Sequence, residues 1–341
     1  MRILHIMASK ALGGAETYST DVMLSLHKQG VDQCVLMEKN APRYDELARA
    51  GLRVREIKGR FLPLQKVFVR TVIAREKPDI VHTWMRRGAA LAGEIKTPKP
   101  VVVGWFGGYY DTAKFKNCAY LVGVTKDIVA HMVKGGVAEN RARFIPTFPD
   151  ISAAPPIDRA TLATPRNAKV LLALSRLHPK KGLDTLLNAL KNLPDCIVWL
   201  AGDGPLRREL ENLAKKLGVL DRVRFLGWRT DRAALLRAAD ICVLPSRYEP
   251  FGTVILEAWA AGTPLVACAS AGPAAHVENE INGLLTPVDD AQALAIAIRR
   301  TLKDDDLRRR LVAQGYAAYI KDYTRESVTQ QWIRFYKMLV G

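Results

Sequence analysis

A chain of 341 residues with 49% hydrophobic and 25% charged residues is long enough for two domains, each able to bury a core. No apolar run approaches the ~20 residues of a membrane-spanning helix, and the opening Met1-Arg2-Ile3-Leu4-His5-Ile6-Met7 is too short and too strand-like for a signal peptide. The net charge of +17 favours an anionic partner, and scattered Cys34, Cys118, Cys196, Cys242 and Cys268, with no C-x-x-C, suit free thiols in a reducing cytosol.

Ile3 to Met7 reads as the first strand, followed by Ala11-Leu12-Gly13-Gly14-Ala15-Glu16 and a helix carrying Val22 and Leu26. Strand, glycine loop and helix is the order in which bare backbone N–H groups approach a phosphate. Gly-Gly alone serves equally as a turn, and the lack of G-x-G-x-x-G argues against a nicotinamide-dinucleotide site. Further apolar runs at 33–37, 54–57, 80–82, 101–104, 120–124 and 143–145 alternate with helical patterns and predict a doubly wound parallel sheet. Residues 39–77 hold eleven Lys/Arg against four acids. Within them Phe61, Leu62, Leu64, Val67, Phe68, Val69, Val72 and Ile73 are interspersed with Lys66 and Arg70. Such a helix either buries one face on its own sheet or lies on an anionic bilayer. Trp105-Phe106-Gly107-Gly108-Tyr109-Tyr110-Asp111 follows a strand and reads as a cleft-lining loop; His82 stands at the end of the preceding one.

Pro146, Pro149, Pro155, Pro156 and Pro165 predict a linker over 151–166, between an N-terminal domain at 1–150 and a second at 167–324. Val170 to Leu174 restarts the alternation, and Ser175-Arg176-Leu177-His178-Pro179-Lys180-Lys181-Gly182 follows it. Arg176 and Lys181 are cations just past a strand end, which in isolation would read as solvated surface groups. Asp304-Asp305-Asp306 falls between two helical patterns and reads as helix-capping acids rather than a metal site. A last amphipathic stretch carries Val328, Trp332, Phe335 and Tyr336.

The densest signal is Ser246-Arg247-Tyr248-Glu249-Pro250-Phe251-Gly252-Thr253-Val254-Ile255-Leu256-Glu257, after the buried-strand run Ile241 to Leu244. Glu249 would sit at a strand's carboxyl end, where open α/β sheets place ligands. The backbone N–H groups of Phe251, Gly252 and Thr253 would open a helix as an anion site, with Glu257 ~7–8 Å further along its axis.

Glu249 and Glu257 with Phe251-Gly252 between them form an E-x7-E motif. Together with Gly13-Gly14-x-Glu16 and the Arg176/Lys181 segment, the motif resembles the retaining glycosyltransferases of family 4, over nearly the whole chain. The resemblance implies the glycosyltransferase-B fold: α/β, two Rossmann-like doubly wound parallel-sheet domains facing each other across a cleft, with a C-terminal helix (325–341) crossing back to the first. It implies sugar transfer from a nucleotide-diphosphate sugar bound by the second domain to an acceptor on the first. The leaving phosphate assists the acceptor's deprotonation, and no protein nucleophile, cofactor or metal is expected. Glu249 would orient the sugar, Arg176 and Lys181 would stabilise the leaving diphosphate, and Glu257 would hold the ribose. Gly13 and Gly14 would face the diphosphate. Glu16, His82, Trp105, Gly107 and Gly108 would form the acceptor side, although Trp105 and Phe106 stand where many members carry a histidine. The basic first domain suits an anionic acceptor such as a lipopolysaccharide core or glycolipid, with the protein cytoplasmic and peripheral on the inner membrane face. The alternatives are a nucleotide-sugar epimerase on the same fold and a nucleic-acid-binding protein. The latter lacks any recognisable binding module, so no nucleic-acid partner is expected.

Overall fold

The computed structural model describes residues 1–9, 14–39, 41, 43–93, 100–149, 151 and 154–341. In chain order the elements are β1 (Arg2–Met7), α1 (Gly14–Lys28), β2 (Asp32–Met37), α2 (Tyr44–Arg49), β3 (Arg53–Glu56), α3 (Leu62–Glu76), β4 (Ile80–Trp84), α4 (Met85–Ala92), β5 (Val101–Phe106), β6 (Tyr120–Gly123), α5 (Lys126–Lys134) and β7 (Ala142–Phe144). They continue with β8 (Lys169–Leu174), α6 (Leu183–Leu190), β9 (Cys196–Ala201), α7 (Arg207–Lys216), β10 (Val223–Gly227), α8 (Arg232–Ala238), β11 (Ile241–Leu244), α9 (Thr253–Ala261), β12 (Leu265–Cys268), α10 (Ala271–His276), β13 (Leu284–Thr286), α11 (Ala291–Lys303), α12 (Asp305–Ala318) and α13 (Arg325–Val340). The chain divides into two compact units, Met1–Phe148 with Arg325–Gly341, and Pro149–Thr324.

The first unit holds a seven-stranded sheet in the order β3-β2-β1-β4-β5-β6-β7, with parallel pairing throughout. Parallel strands covered on both faces must be apolar along their whole length, which is why Ile3, Leu4, Ile6 and Met7 are all buried. One face carries an aromatic layer. His5, His82, Trp84 and Trp105 lie there in register (His5 opposite His82, Trp84 opposite Trp105), beneath Tyr18 of α1 and Trp332 and Tyr336 of α13. The C-terminal helix is tied in by polar tips as well as by rings. Trp332 Nε1 donates to the Tyr18 hydroxyl at 3.1 Å, and that hydroxyl donates to the Pro146 carbonyl at 2.9 Å.

In the second unit the sheet order is β10-β9-β8-β11-β12-β13, again parallel. Its core joins Leu171, Val198 and Ile241 to Leu210, Leu294 and Ile298 from the covering helices. Asp304 caps α12 by accepting from the Leu307 N–H at 2.9 Å. The proline-rich stretch expected as a linker is attached to this unit. Arg159 donates to the Ala238 and Ala168 carbonyls and pairs with Asp240 at 2.9 Å, while Trp199 Nε1 donates to Thr164 Oγ1 at 2.9 Å. Prolines supplied stiffness there, but these long-range bonds fix the segment.

α3 packs against α4 and buries Val69 and Val72, while Leu62, Leu64 and Val67 at its N-terminal end and the preceding Phe61 are exposed. No helix among the described residues is long and apolar enough to cross a membrane. All five cysteines are buried free thiols.

Candidate active site

β8 and β11 are neighbours in the second sheet, and the chain runs outward from them in opposite directions. The loops that follow the two strands therefore diverge, which opens a crevice at the sheet's carboxyl edge. One loop is 175–182 and the other 245–252. They touch at Gly182, whose φ is +60° and where a Cβ would lie 2.0 Å from the Pro245 carbonyl oxygen. Only glycine fits there, by conformation and by space.

Lys181 and Glu249 meet across this contact, Nζ to Oε2 at 2.5 Å, with both side chains mostly buried. Glu249 is set further by its own carbonyl, which accepts from the Gly272 N–H at 2.6 Å. Gly252, with φ +89°, turns the chain into α9, so Thr253 opens the helix with unsatisfied N–H groups near the motif. Phe251 is buried edge-on against the His276 ring at 4.5 Å. Arg176 is exposed on the first loop, and it forms no ion pair among the described residues. The first loop thus carries an exposed guanidinium five residues before a lysine that is paired with a carboxylate of the second, residue types suited to a diphosphate and a polyol.

Arg247 fastens the two loops. Its guanidinium grips Asp184 with two bonds at 2.8 and 2.6 Å, donates to the Pro179 carbonyl at 2.8 Å and reaches Asp289 at 2.7 Å. The Arg247 and Tyr248 N–H groups both donate to the Lys180 carbonyl, and Lys180 Nζ lies 4.6 Å from the Tyr248 ring centre. Burial pushes the Asp184 carboxyl up, but the Arg247 hydrogen bonds and charge outweigh it and hold that carboxyl below its ordinary range. A planar fork is required for this many simultaneous contacts, which lysine could not make.

Glu257 lies deeper than the sequence suggested. It is 1% exposed, and its Oε1 accepts from Arg232 Nη1 at 2.5 Å. A carboxylate taken out of water needs such a partner. In this arrangement the guanidinium of Arg232 holds one of the two carboxylate oxygens of Glu257.

In the first unit the expected acceptor-side residues separate. Gly13 lies outside the described residues. Gly14 begins α1, and Glu16 in its first turn accepts from Ser9 Oγ at 2.5 Å, at the carboxyl end of β1. His82 and Trp105 are corrections. β5 runs on to Phe106, so Trp105 is a buried strand residue rather than part of a loop. His82 is wholly buried, its Nδ1 2.6 Å from the Tyr336 hydroxyl, and burial holds it well below its ordinary pKa. Neither is at the surface to meet an acceptor. Gly107 packs on the Trp105 indole, where a Cβ would stand 2.3 Å from the ring, and Gly108 is buried beside it.

Sequence reasoning missed Arg247, its partners Asp184 and Asp289, and Arg232. A signal existed for the first three: each follows within fifteen residues of an apolar strand run in the same half, at the edge where loops converge. Arg232 left none, since its partner is 25 residues away on another helix.

Two family descriptions match the chain, "Glycosyltransferase Family 4" over residues 12–153 and "Glycosyl transferases group 1" over residues 156–318. It is 33% identical to the lipopolysaccharide core biosynthesis glycosyltransferase LpsE of Rhizobium meliloti (strain 1021), over 98% of each chain. It is 31% identical to LpsD of the same organism, over 98% of this chain and 97% of that one. The structure superimposes on Anabaena HepE, solved with UDP and glucose, with a TM-score of 0.82 at 21% identity, covering 99% of this chain and 100% of that one. The fold is the one expected, glycosyltransferase-B with its two Rossmann-like parallel-sheet units. Motif, fold and relatives agree: the chain belongs to glycosyltransferase family 4 and is a glycosyltransferase.

Proposed function

We propose that this enzyme moves a sugar, with retention of configuration, from a nucleoside-diphosphate sugar to a carbohydrate or glycolipid acceptor of the lipopolysaccharide-core kind. The observation that carries the reading is the Lys181–Glu249 pair at the switch point of the second sheet, with Arg176 exposed on the same loop. A donor diphosphate would take over Lys181 and engage Arg176, which releases Glu249 to hold the sugar hydroxyls. As the glycosidic bond breaks, negative charge grows on the diphosphate, and fixed cations there lower the barrier. The two cations supply the charge that a divalent ion would, so chelation with EDTA is expected to leave turnover unchanged. The core-type acceptor is suggested by LpsE and LpsD, whose names assign them to core biosynthesis.

The first test is thermal shift with a panel of nucleoside diphosphates, UDP foremost because HepE was solved with it. Arg176→Ala and Lys181→Ala should then weaken that binding and cost on the order of 10²–10³ in turnover. Unchanged turnover in both variants would refute the assignment. Sugar release or epimerisation at full rate without acceptor would favour the epimerase instead. The protein would work at the inner face of the cytoplasmic membrane. Exposed Phe61, Leu62, Leu64 and Val67, flanked by Lys58, Arg60 and Lys66, suit a shallow seat on anionic lipid. Flotation with anionic but not neutral vesicles is the expected result.

A further inference from the structure

The first sheet has its own switch point, between β1 and β4, and α4 follows β4 without a loop, so that Met85-Arg86-Arg87 form its first turn. We infer that Arg86 is the contact for an anionic group, phosphate or carboxylate, on the sugar acceptor. The inference rests on the acceptor reading above and gives that site a residue and a ligand chemistry.

Three observations support it. Position is the first: α4 starts at the carboxyl edge of the sheet, and Gly88 lets it press against β1, since a Cβ there would lie 2.6 Å from the Ile6 carbonyl oxygen. Open α/β sheets take ligands at this edge. The second is the backbone. Met85 has φ +60°, a left-handed conformation rare for an unbranched side chain other than glycine or asparagine. Buried Trp84 before it and buried Gly88 after it over-determine that first helical residue. The third is charge. Arg86 is exposed with its guanidinium 5.7 Å from the Tyr110 ring centre, and among the described residues no carboxylate pairs with it. Its neighbour Arg87 turns the other way, to Glu38 at 3.2 Å. One arginine is neutralised and the other is kept on an aromatic face, which orients a cation without quenching it.

The fork of a guanidinium suits a phosphate or carboxylate better than a neutral hydroxyl. The ring of Tyr110 gives an apolar wall beside it. That wall is held by His131, whose Nε2 lies 2.9 Å from the Tyr110 carbonyl oxygen. Acceptor and donor would each be recognised through an anion, at the same edge of two separate sheets.

Mannose 6-phosphate, glucuronate and mannose are titrated against the full-length protein, with UDP as the donor-site probe. Wild type should bind one of the charged sugars and not mannose, and which of the two it prefers identifies the anion as phosphate or carboxylate. Arg86→Gln should weaken that binding about 10- to 100-fold, the worth of one charge-assisted bond, and leave UDP affinity unchanged. Arg87→Gln should change little, because Arg87 is already paired. Failure of wild type to bind either charged sugar, or equal losses in Arg86→Gln and Arg87→Gln, would overturn the inference. UDP binding insensitive to Arg176→Ala would instead strike the donor reading and leave this one standing.

Discussion

The two sheets share a topology and differ in how their switch points are finished. In the second unit the diverging loops are drawn together. Gly182 touches Pro245, Arg247 bonds to both loops, and Lys181 closes on Glu249. In the first unit the corresponding edge is tied by single contacts such as Arg87 to Glu38 at 3.2 Å, and much of its order comes from below. Trp84, His82 and Trp105 form a buried aromatic layer whose cover includes Trp332 and Tyr336. The difference fits the chemistry. A diphosphate is the same for every nucleotide-sugar donor, so a rigid charged grip can be built in advance. An acceptor varies, and a packed platform lets the loops above it change without loss of fold.

If the second edge is a preformed charged grip, removing its acid should cost most. Glu249→Gln keeps the size of the side chain and the backbone bond to Gly272, but removes the charge facing Lys181. We expect turnover to fall about 10²–10³-fold, the scale for losing one positioned electrostatic group, with UDP affinity retained or improved because Lys181 is released. Steady-state kinetics with UDP titration checks it. A variant with full turnover would mean the pair is merely structural.

Next in size is the staple. Arg247→Met preserves bulk and removes every bond to Asp184, Asp289 and Pro179. Shifting Lys181 and Glu249 by as little as 1 Å is worth up to about 10²-fold in rate, so kcat should fall while the second unit stays folded. Arg247→Lys should recover little, since an ammonium cannot make the forked contact with Asp184. The pair is partly exposed, 31% for Arg247 and 42% for Asp184, so the loss in stability should be small beside the loss in rate.

How these parts could be read from the sequence follows from the range of the forces that place them. Strands such as Ile241–Leu244 were legible because burial on both faces demands a continuous apolar run, a local property. The positions of Arg176, Lys181 and Glu249 on the loops after β8 and β11 were legible because those loops follow such runs. Trp105 was not, since two aromatics carry β5 past the glycine at 104 that suggested its end. His82 could not be placed without Tyr336, 254 residues away, because only α13 decides that its strand end is covered. Glu257 was assigned by its motif spacing, which fixes its place on the helix but not the arginine that arrives from α8.

The smallest expected effect separates the units by pH. The first unit buries two neutral histidines, His5 and His82, and the second holds the half-buried His276. In the first, Trp84 Nε1 donates to His5 Nδ1 at 3.2 Å, which leaves Nε2–H to donate to Gln33 Oε1 at 2.9 Å; burial lowers the His5 pKa to about 3. In the second, burial lowers that of His276 to about 4, beside Phe251 and the Tyr323 hydroxyl. An unfolded histidine titrates near ~6.5, so below that pH the unfolded chain binds protons that the folded one refuses. Stability is therefore complete above about 6.5 and declines as pH falls toward the folded values, by at most about 1.4 kcal/mol per pH unit for each histidine. Hydrogen exchange followed separately in the two units between pH 7 and 4.5 should show both softening. His276→Phe should flatten the slope in the second unit only, because His5 and His82 still refuse their protons in the first. A slope unchanged in the second unit would mean that His276 takes up its proton without unfolding, and the wall behind Phe251 would then be more open to water than its packing implies.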